Sequence, residues 1–211
     1  MKRFSGYIII LCTCIASCSN GQQSTKQNYQ LKGAPCEGCE AVFEYGNKKL
    51  KPVDTLPDFS STGPRLKVTG HIYMPDGKTP AADVILYIYH TDQKGLYRHK
   101  PDASGWETRH GSLRGWIKTD KYGNYSFYTL KPGTYPTRSE PAHIHGTLLE
   151  PGGRYYYLEE WHFKHDPLLY KLDLQPRSNH GGEGIVELKK AGDILVAERD
   201  IILGLNVNDY E

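Results

Sequence analysis

From Arg65 to Leu203 the chain consists of short segments rich in β-branched and aromatic residues, separated by turn residues. The segments are "RLKVTGHIYM", "DVILYIYHT", "GWIKTD", "NYSFYTL", "AHIHGTLLE", "RYYYLEEWHF", "GIVELKK" and "ILVAERDIIL". Turn sequences such as "PDGKTP" and "KYG" lie between them, and no stretch has the clear periodicity of an amphipathic helix. Short strands at this regular spacing predict an all-β fold, an antiparallel β-sandwich.

The start of the chain has the pattern of a secretory signal. Lys2 and Arg3 precede an apolar run from Tyr7 to Ala16, which is too short to span a membrane. The small residues of "IASC" before Cys18 are similar to the cleavage motif of bacterial lipoproteins. We expect cleavage before Cys18 and its acylation, with an ordinary signal peptide as the alternative. Ser19 is not the aspartate commonly associated with inner-membrane retention, so we expect a cell-envelope protein held in the outer membrane by its lipid anchor.

Three regions follow from these patterns. Residues 1–17 form the signal peptide, and the polar, aperiodic residues 18–33 form a flexible tether. Residues 34–211 form one folded domain, which is long enough for a sizeable core.

The charge composition argues against one class of partner. The chain has 26 Lys and Arg residues against 24 Asp and Glu residues, and removal of the signal would take Lys2 and Arg3 but no acidic residue. A balanced chain without a basic stripe is not typical of nucleic-acid-binding proteins. We expect no nucleic-acid partner, and the sequence leaves the oligomeric state open.

Two cysteines would remain in the folded domain, Cys36 and Cys39 of "PCEGCE". A CxxC pair occurs as half of a metal site, as a redox motif or as a local disulfide. A four-thiolate zinc site needs a second pair and the redox motif needs a βαβ context, and the sequence has neither. In an oxidising compartment we favour the disulfide.

The segment "GTYPTRSEPAHIH" combines a tyrosine, an arginine and two histidines. His143 and His145 are two residues apart in a β-segment, so their side chains project from one face of the sheet and Ile144 from the other. Two imidazoles on one face make half of a metal site. The alternative is a pair of surface histidines that lie together by chance.

Over about residues 66–206 the sequence resembles the intradiol ring-cleavage dioxygenases, non-haem iron(III) enzymes that include protocatechuate 3,4-dioxygenase and catechol 1,2-dioxygenase. The resemblance is carried by "VTGHIYMPDGKTPAADVILYIYHTDQKGLYRHK", "GWIKTDKYGNYSFYTLKPGTYPTRSEPAHIH", "FKHDPLL" and "ERDIILGLN". It implies a transthyretin-like β-sandwich and an Fe(3+) ion bound by two tyrosinates and two histidines. By position these ligands are Tyr97 of "GLYRHK", Tyr135 of "PGTYP", and His143 and His145 of "PAHIH".

The resemblance also implies the reaction. A small-molecule catechol would chelate the iron through both oxygens and displace Tyr135, and O2 would open the ring between the two hydroxyl-bearing carbons to give a muconate-type diacid. Iron(III) is a hard cation that prefers anionic oxygen, which phenolate supplies. A free tyrosine has a pKa of about 10, so metal binding must expel a proton from each tyrosine ligand.

Two positions depart from the family pattern. Glu140 stands where the well-known members have an arginine before "PAHIH", and Glu160 stands where a glutamine usually precedes "DPL". A carboxylate beside a dianionic substrate reverses the local electrostatics. The alternatives are a substrate that is not an ordinary acidic catechol, compensation by Arg138 or by Arg98, a slow reaction, or a protonated glutamate. We assign Glu140, Glu160 and Arg138 to substrate binding, and Arg138 also to catalysis.

The other histidines are expected to be structural. His71 and His90 lie in strand patterns, and His162 and His165 are predicted on opposite faces of a strand. His99 follows Tyr97 by two residues, so a place in the pocket wall is its alternative role.

A binding protein is the competing functional class. It would be a lipid-anchored transthyretin-like β-sandwich that holds a ligand or partner and has lost catalysis. Glu140 and Glu160 favour this alternative, whereas two tyrosines and a histidine pair in register favour the enzyme.

Overall fold

The computed structural model describes residues 28–174 and 176–211, and the predicted signal and Cys18 lie outside these residues. The strands of the described residues are β1 (Gln30–Leu31), β2 (Val53–Thr55), β3 (Arg65–Tyr73), β4 (Ile85–Tyr89), β5 (Arg114–Lys118), β6 (Asn124–Leu130), β7 (His143–Leu149), β8 (Arg154–Tyr157), β9 (Trp161–Phe163), β10 (Ile185–Val186), β11 (Lys189–Ala191), β12 (Ile194–Glu198) and β13 (Ile201–Ile202). In the same described residues, helical structure is confined to α1 (Glu107–His110) and 3-10 turns at Cys39–Phe43 and Leu169–Leu174. Within this part of the chain, no helix is long and apolar enough to cross a membrane.

The strands form two sheets. The first sheet has the order β1-β8-β7-β4-β5, with β9 on β7 and β10 on β9, and the second has the order β11-β12-β3-β6-β2, with β13 also on β3. The central ladders β4/β5, β4/β7, β7/β8 and β3/β6 are antiparallel, and the predicted β-sandwich is confirmed. The strands β1, β2, β10, β12 and β13 pair in parallel, so both sheets are mixed.

The main core lies between the two sheets. Alternate residues of the strands point into it, and they include Leu66 and Val68 of β3, Leu86 and Ile88 of β4, and Ile144 of β7, all fully buried. Because side chains alternate along a strand, the residues between these project from the outer face of the first sheet or the second.

The N-terminal segment covers part of the outer face of the first sheet. The 3-10 turn at Cys39–Phe43 packs there in a second apolar cluster with Tyr87, Trp116 and Leu149. The outer face of the first sheet is therefore partly enclosed, which makes a cavity on that side possible.

The boundary of the predicted tether is wrong at its C-terminal end. Gln30–Leu31 forms β1 and pairs with Arg154 and Tyr155 of β8, and the Gly33 amide donates to the carbonyl of Asn208 at 2.9 Å. The prediction missed this strand because two residues held by backbone hydrogen bonds leave no periodic side-chain pattern. The folded domain therefore begins before residue 34.

Candidate metal centre

Strand β7 presents its two histidines on the outer face of the first sheet. His143 is buried and His145 is half-buried, while Ile144 between them lies in the core. The Nε2 atoms of His143 and His145 are 3.1 Å apart, so both rings turn the same nitrogen to one point.

Two loops bring the tyrosines to the same point. Tyr97 lies between β4 and β5, and Tyr135 lies between β6 and β7. Gly95 has a φ of +77°, and a Cβ on it would collide with the carbonyl of Thr134, so the backbones of the two loops are in direct contact. Only glycine permits this approach and this φ together. The tyrosine in each loop is thus carried to the same side of β7.

The four side chains converge closely. The Tyr97 hydroxyl oxygen is 2.9 Å from that of Tyr135 and 2.8 Å from His145 Nε2. The Tyr135 hydroxyl oxygen is 3.1 Å from His143 Nε2 and 3.5 Å from His145 Nε2. The structure therefore brings all four sequence-predicted ligands together, with their donor atoms facing each other.

This donor set fits a metal ion. Two ligand atoms that each lie about 2.1 Å from one first-row metal ion are roughly 3.0 to 3.4 Å apart when the ligand–metal–ligand angle is between a right angle and the tetrahedral angle. The observed spacings are close to this range. Burial raises the pKa of Tyr97, which the neighbouring Tyr135 raises further, and burial also raises the pKa of Tyr135. Both phenols would need a highly charged cation to lose their protons. A trivalent, oxygen-preferring ion such as Fe(3+) suits this set.

Hydrogen bonds at the far side of each imidazole fix its orientation. His143 Nδ1 lies 2.8 Å from the carbonyl oxygen of Pro141, and His145 Nδ1 lies 2.7 Å from Glu160 Oε1. Each Nδ1–H therefore donates away from the centre and leaves the Nε2 lone pair for a metal. Burial raises the pKa of Glu160, but His145, His143 and His162 outweigh it and hold that pKa at about 2. Glu160 is thus an ionised carboxylate that contacts a predicted ligand.

The other predicted site residues are placed less centrally. Glu140 is exposed and lines a cavity that one of the four donors, His145, also lines. Arg138 is exposed with a φ of 51° and does not line this cavity, and its carbonyl accepts from Lys171 Nζ at 2.9 Å. Arg98 pairs with Asp92 at 2.7 Å, and His99 is exposed. The predicted roles of Arg138 in binding and catalysis have no contact in the structure that supports them.

The cavity holds about 620 Å³, and its lining includes groups that were not predicted as site residues, among them His162, which was expected to be structural. Tyr89 and His162 line it, and His162 Nε2 lies 3.4 Å from Glu160 Oε2. Arg177 also lines it and pairs with Glu159 at 2.8 Å. The two-residue spacing of Tyr87 and Tyr89 in one β-segment predicts that both rings lie on the same face of a strand. No sequence signal ties His162 or Arg177 to the site.

Cys36 and Cys39 are joined by a disulfide, the favoured interpretation of the CxxC motif. The segment from Pro35 to Cys39 forms one wall of the cavity. A disulfide of this short span fixes a tight loop at the edge of the site.

Comparison with known proteins identifies the family. The family model described as Dioxygenase matches residues 43–180. Among curated proteins, the chain is 30% identical over 140 residues to the protocatechuate 3,4-dioxygenase beta chain of Burkholderia cepacia, a match that covers 59% of this chain and 58% of that protein. It is 31% identical over 137 residues to catechol 1,2-dioxygenase 1 of Acinetobacter lwoffii, covering 57% of this chain and 42% of that protein. The chain thus spans about half the length of these relatives.

Solved structures support the fold. The dioxygenase domain of a dioxygenase–carbohydrate-binding protein fusion from Streptomyces sp. SirexAA-E superposes with a TM-score of 0.58 at 22% identity, covering 82% of this chain and 98% of that one. Catechol 1,2-dioxygenase from Acinetobacter sp. ADP1 superposes with a TM-score of 0.56 at 21% identity, covering 82% of this chain and 59% of that one. From the family match together with these relatives, we conclude that the chain belongs to the intradiol ring-cleavage dioxygenase family.

Proposed function

We propose that this protein binds Fe(3+) through Tyr97, Tyr135, His143 and His145 and cleaves a catechol-type substrate with O2. The ring would open between its two hydroxyl-bearing carbons and give a muconate-type diacid. The observation that carries the proposal is the convergence of two phenol oxygens and two imidazole nitrogens, each within 3.5 Å of a neighbour in the set. A binding protein without metal chemistry has no need for this set.

When bound, the ferric ion would supply the positive charge that activates a catecholate toward O2. The residues of this chain would bind the ion and set the charge around it. Tyr97 and Tyr135 would each contribute one negative charge, while His143 and His145 would each offer the Nε2 lone pair, because the acceptor at Nδ1–H turns Nε2 toward the centre. Glu160 would keep the His145 ring in place and add negative charge behind it.

Tyr135 is suited to accept a proton when substrate binds. It lies on a loop whose following residues, 136–140, are exposed, whereas both histidines are held in β7. A catechol hydroxyl that enters the centre would have to lose its proton, and the Tyr135 oxygen is placed to accept it. Its raised pKa favours that uptake.

The charges around the cavity favour certain catechols. Arg177 is paired with Glu159 at 2.8 Å and with Glu183 at 2.6 Å, so its charge is largely neutralised. In the part of the chain that the structure describes, no ion pair involves the exposed carboxylate of Glu140. Lys171 also lines the cavity, with its Nζ donating to the Arg138 carbonyl at 2.9 Å, so its charge offsets part of that of Glu140. We expect Glu140 to disfavour benzoate-type substrates such as protocatechuate and to favour neutral catechols or those with a cationic or hydroxylated tail.

The test is oxygen uptake by iron-loaded protein with catechol, protocatechuate and an amine-bearing catechol. We expect uptake coupled to a ring-opened diacid, with protocatechuate the poorest of the three. Glu140→Arg should improve protocatechuate relative to catechol by about tenfold, because the charge change is close to the cavity but screened by solvent. Glu198→Arg on β12, a matched charge reversal on the other sheet, should change nothing.

Two outcomes would contradict the proposal. Iron-loaded protein that consumes no O2 with any catechol would favour the catalytically inactive binding protein. If protocatechuate is the best substrate and Glu140→Arg brings no further gain, the enzyme stands but the role of Glu140 is wrong.

We also propose that the mature protein is anchored in the cell envelope through acylated Cys18, with the outer membrane as its location. The support is the "IASC" motif and the identity of Ser19.

A further inference from the structure

Two contacts restrain the ring of His145: its hydrogen bond to Glu160 and its stacking on the ring of Tyr89. Tyr89 of β4 is the cross-strand partner of His145 of β7, so the two side chains leave the sheet side by side. Their ring centroids are 4.5 Å apart and their planes differ by 15°. A single hydrogen bond at Nδ1 still allows the imidazole ring to rotate about the axis of that bond. A stacked aromatic ring restricts this rotation, because it fixes the plane of the imidazole.

Tyr89 is in turn held on its other side by His110. These two rings are 3.7 Å apart and differ in plane by 5°. His110 ends α1 and is buried, and burial lowers its pKa to about 4, so its ring is neutral near pH 7. Its Nδ1 lies within hydrogen-bond distance of the Tyr87 hydroxyl oxygen, at 2.8 Å, which fixes the orientation of the ring. His110 is therefore a fixed support and not a free side chain.

The disulfide loop also lies against the His110 ring, which stacks on Trp106 as well at 5.2 Å between ring centroids. Gly38, between Cys36 and Cys39, is buried with a φ of +84°, and a Cβ on it would collide with the His110 ring, 2.7 Å from Cε1. The loop backbone thus lies directly on the imidazole. The neighbouring Glu37 also pairs with Arg109 at 2.7 Å.

These contacts form one continuous series of packed groups, from Gly38 through His110 and Tyr89 to His145. We propose that this series positions His145 for the metal, so that Tyr89 and His110 are positioning residues and the disulfide loop tunes the centre from a distance. The inference rests on the proposed function, because it assigns to His145 the role of a ligand. Its physical basis is that a ligand ring held in its binding plane before the metal arrives loses less freedom on binding.

The first experiment separates the ring of Tyr89 from its hydroxyl. Tyr89→Phe keeps the stack and should keep the iron affinity, measured by competition with a chelator, whereas Tyr89→Leu should weaken it by about three- to tenfold, the range for one aromatic pair. In metal-free protein, the ring protons of His145 should show an upfield NMR shift in the native chain and Tyr89→Phe, and lose it in Tyr89→Leu. Tyr73→Leu removes the stacked partner of His71 on β3 and is the matched control that should alter neither reading.

The second experiment acts on the loop. Gly38→Ala should displace the His110 ring, reduce the upfield shift of His145 and weaken iron binding several-fold. Gly192→Ala is the control, because Gly192 has a φ of +66° but no atom within 4 Å of an added Cβ. This substitution imposes the same kind of backbone strain without a contact to another residue, so the His145 ring shift and the iron affinity should both equal those of the native chain.

Each result decides the inference separately from the proposed function. Iron affinity in Tyr89→Leu equal to that of the native chain overturns the positioning role, even if catechol cleavage is found. A His145 ring shift that Tyr89→Leu leaves unchanged overturns it without any metal. A native chain that binds no iron contradicts the proposed function, and the NMR comparison still decides whether Tyr89 orders His145. Should Gly38→Ala fail to fold, the Tyr89 variants decide.

Discussion

At the scale of residues, the sequence pattern predicts some contacts and not others. That His143 and His145 share a face follows from their two-residue spacing, because side chains alternate along a strand. Tyr97 and Tyr135 were identified only through resemblance, since they lie on separate loops that meet through the backbone at Gly95. The position of Glu160 at His145 Nδ1 was not predicted, because it depends on how β9 is placed against β7.

His90 is the residue for which burial predicts a pH effect most directly. It is fully buried, with Nδ1 2.7 Å from the Thr91 carbonyl and Nε2 2.7 Å from the Thr129 hydroxyl, and burial lowers its pKa to about 4. The unfolded chain therefore takes up this proton at a higher pH than the folded chain. The stabilisation is complete above about pH 6.5 and is lost as the pH falls toward about 4, with a loss on the order of 2–3 kcal/mol.

The measurement is the free energy of unfolding by denaturant between about pH 7 and 4.5. His90→Gln cannot be protonated there, so its stability should fall less over this range, although it starts lower because the hydrogen bonds change. His110 and His162, whose pKa values burial also lowers to about 4, should leave part of the slope in place. A native slope in His90→Gln would contradict this account.

At the scale of elements, strands with alternating apolar residues were predicted well and strands without them were missed. "NYSFYTL" is β6 to the residue, and "RLKVTGHIYM" ends one residue beyond β3. The short strands β1 and β2 lie at sheet edges, and their exposed side chains leave no pattern to detect. "RYYYLEEWHF" was predicted as one segment but contains β8 and β9, separated by Leu158–Glu160. This break has a consequence for the site, since it turns Glu160 toward His145.

At the scale of the whole molecule, resemblance to the family predicts the central strands of the β-sandwich, and the terminal segments add strands and a cover to it. The N-terminal segment covers part of the outer face of the first sheet and supplies the disulfide loop beside the cavity. Long connections return β12 and β13 to β3 in parallel, and periodicity alone does not predict which neighbour a strand chooses. The proposed anchor at Cys18 precedes β1 by only about a dozen residues, so an anchored domain would stay close to the membrane surface.

The anchor predicts how the protein fractionates. The native chain should sediment with membranes, resist washing in high salt and be released by detergent, because salt weakens charge attraction but not the burial of acyl chains. Cys18→Ala should be soluble, whereas Cys14→Ala, a change within the predicted signal, should behave as the native chain does. On a density gradient we expect the native chain in the outer-membrane fraction. Release by salt alone would contradict a covalent lipid anchor.

The central claim is that Tyr97, Tyr135, His143 and His145 bind one ferric ion, and visible absorption during an Fe(3+) titration tests it most directly. The account predicts one iron per chain and a wine-red complex, because phenolate-to-iron charge transfer absorbs visible light. The colour should be lost in a variant with both Tyr97→Phe and Tyr135→Phe, and should persist in Tyr122→Phe, a change at an exposed tyrosine away from the site. A colourless complex, or a red complex that survives the double substitution, would contradict it.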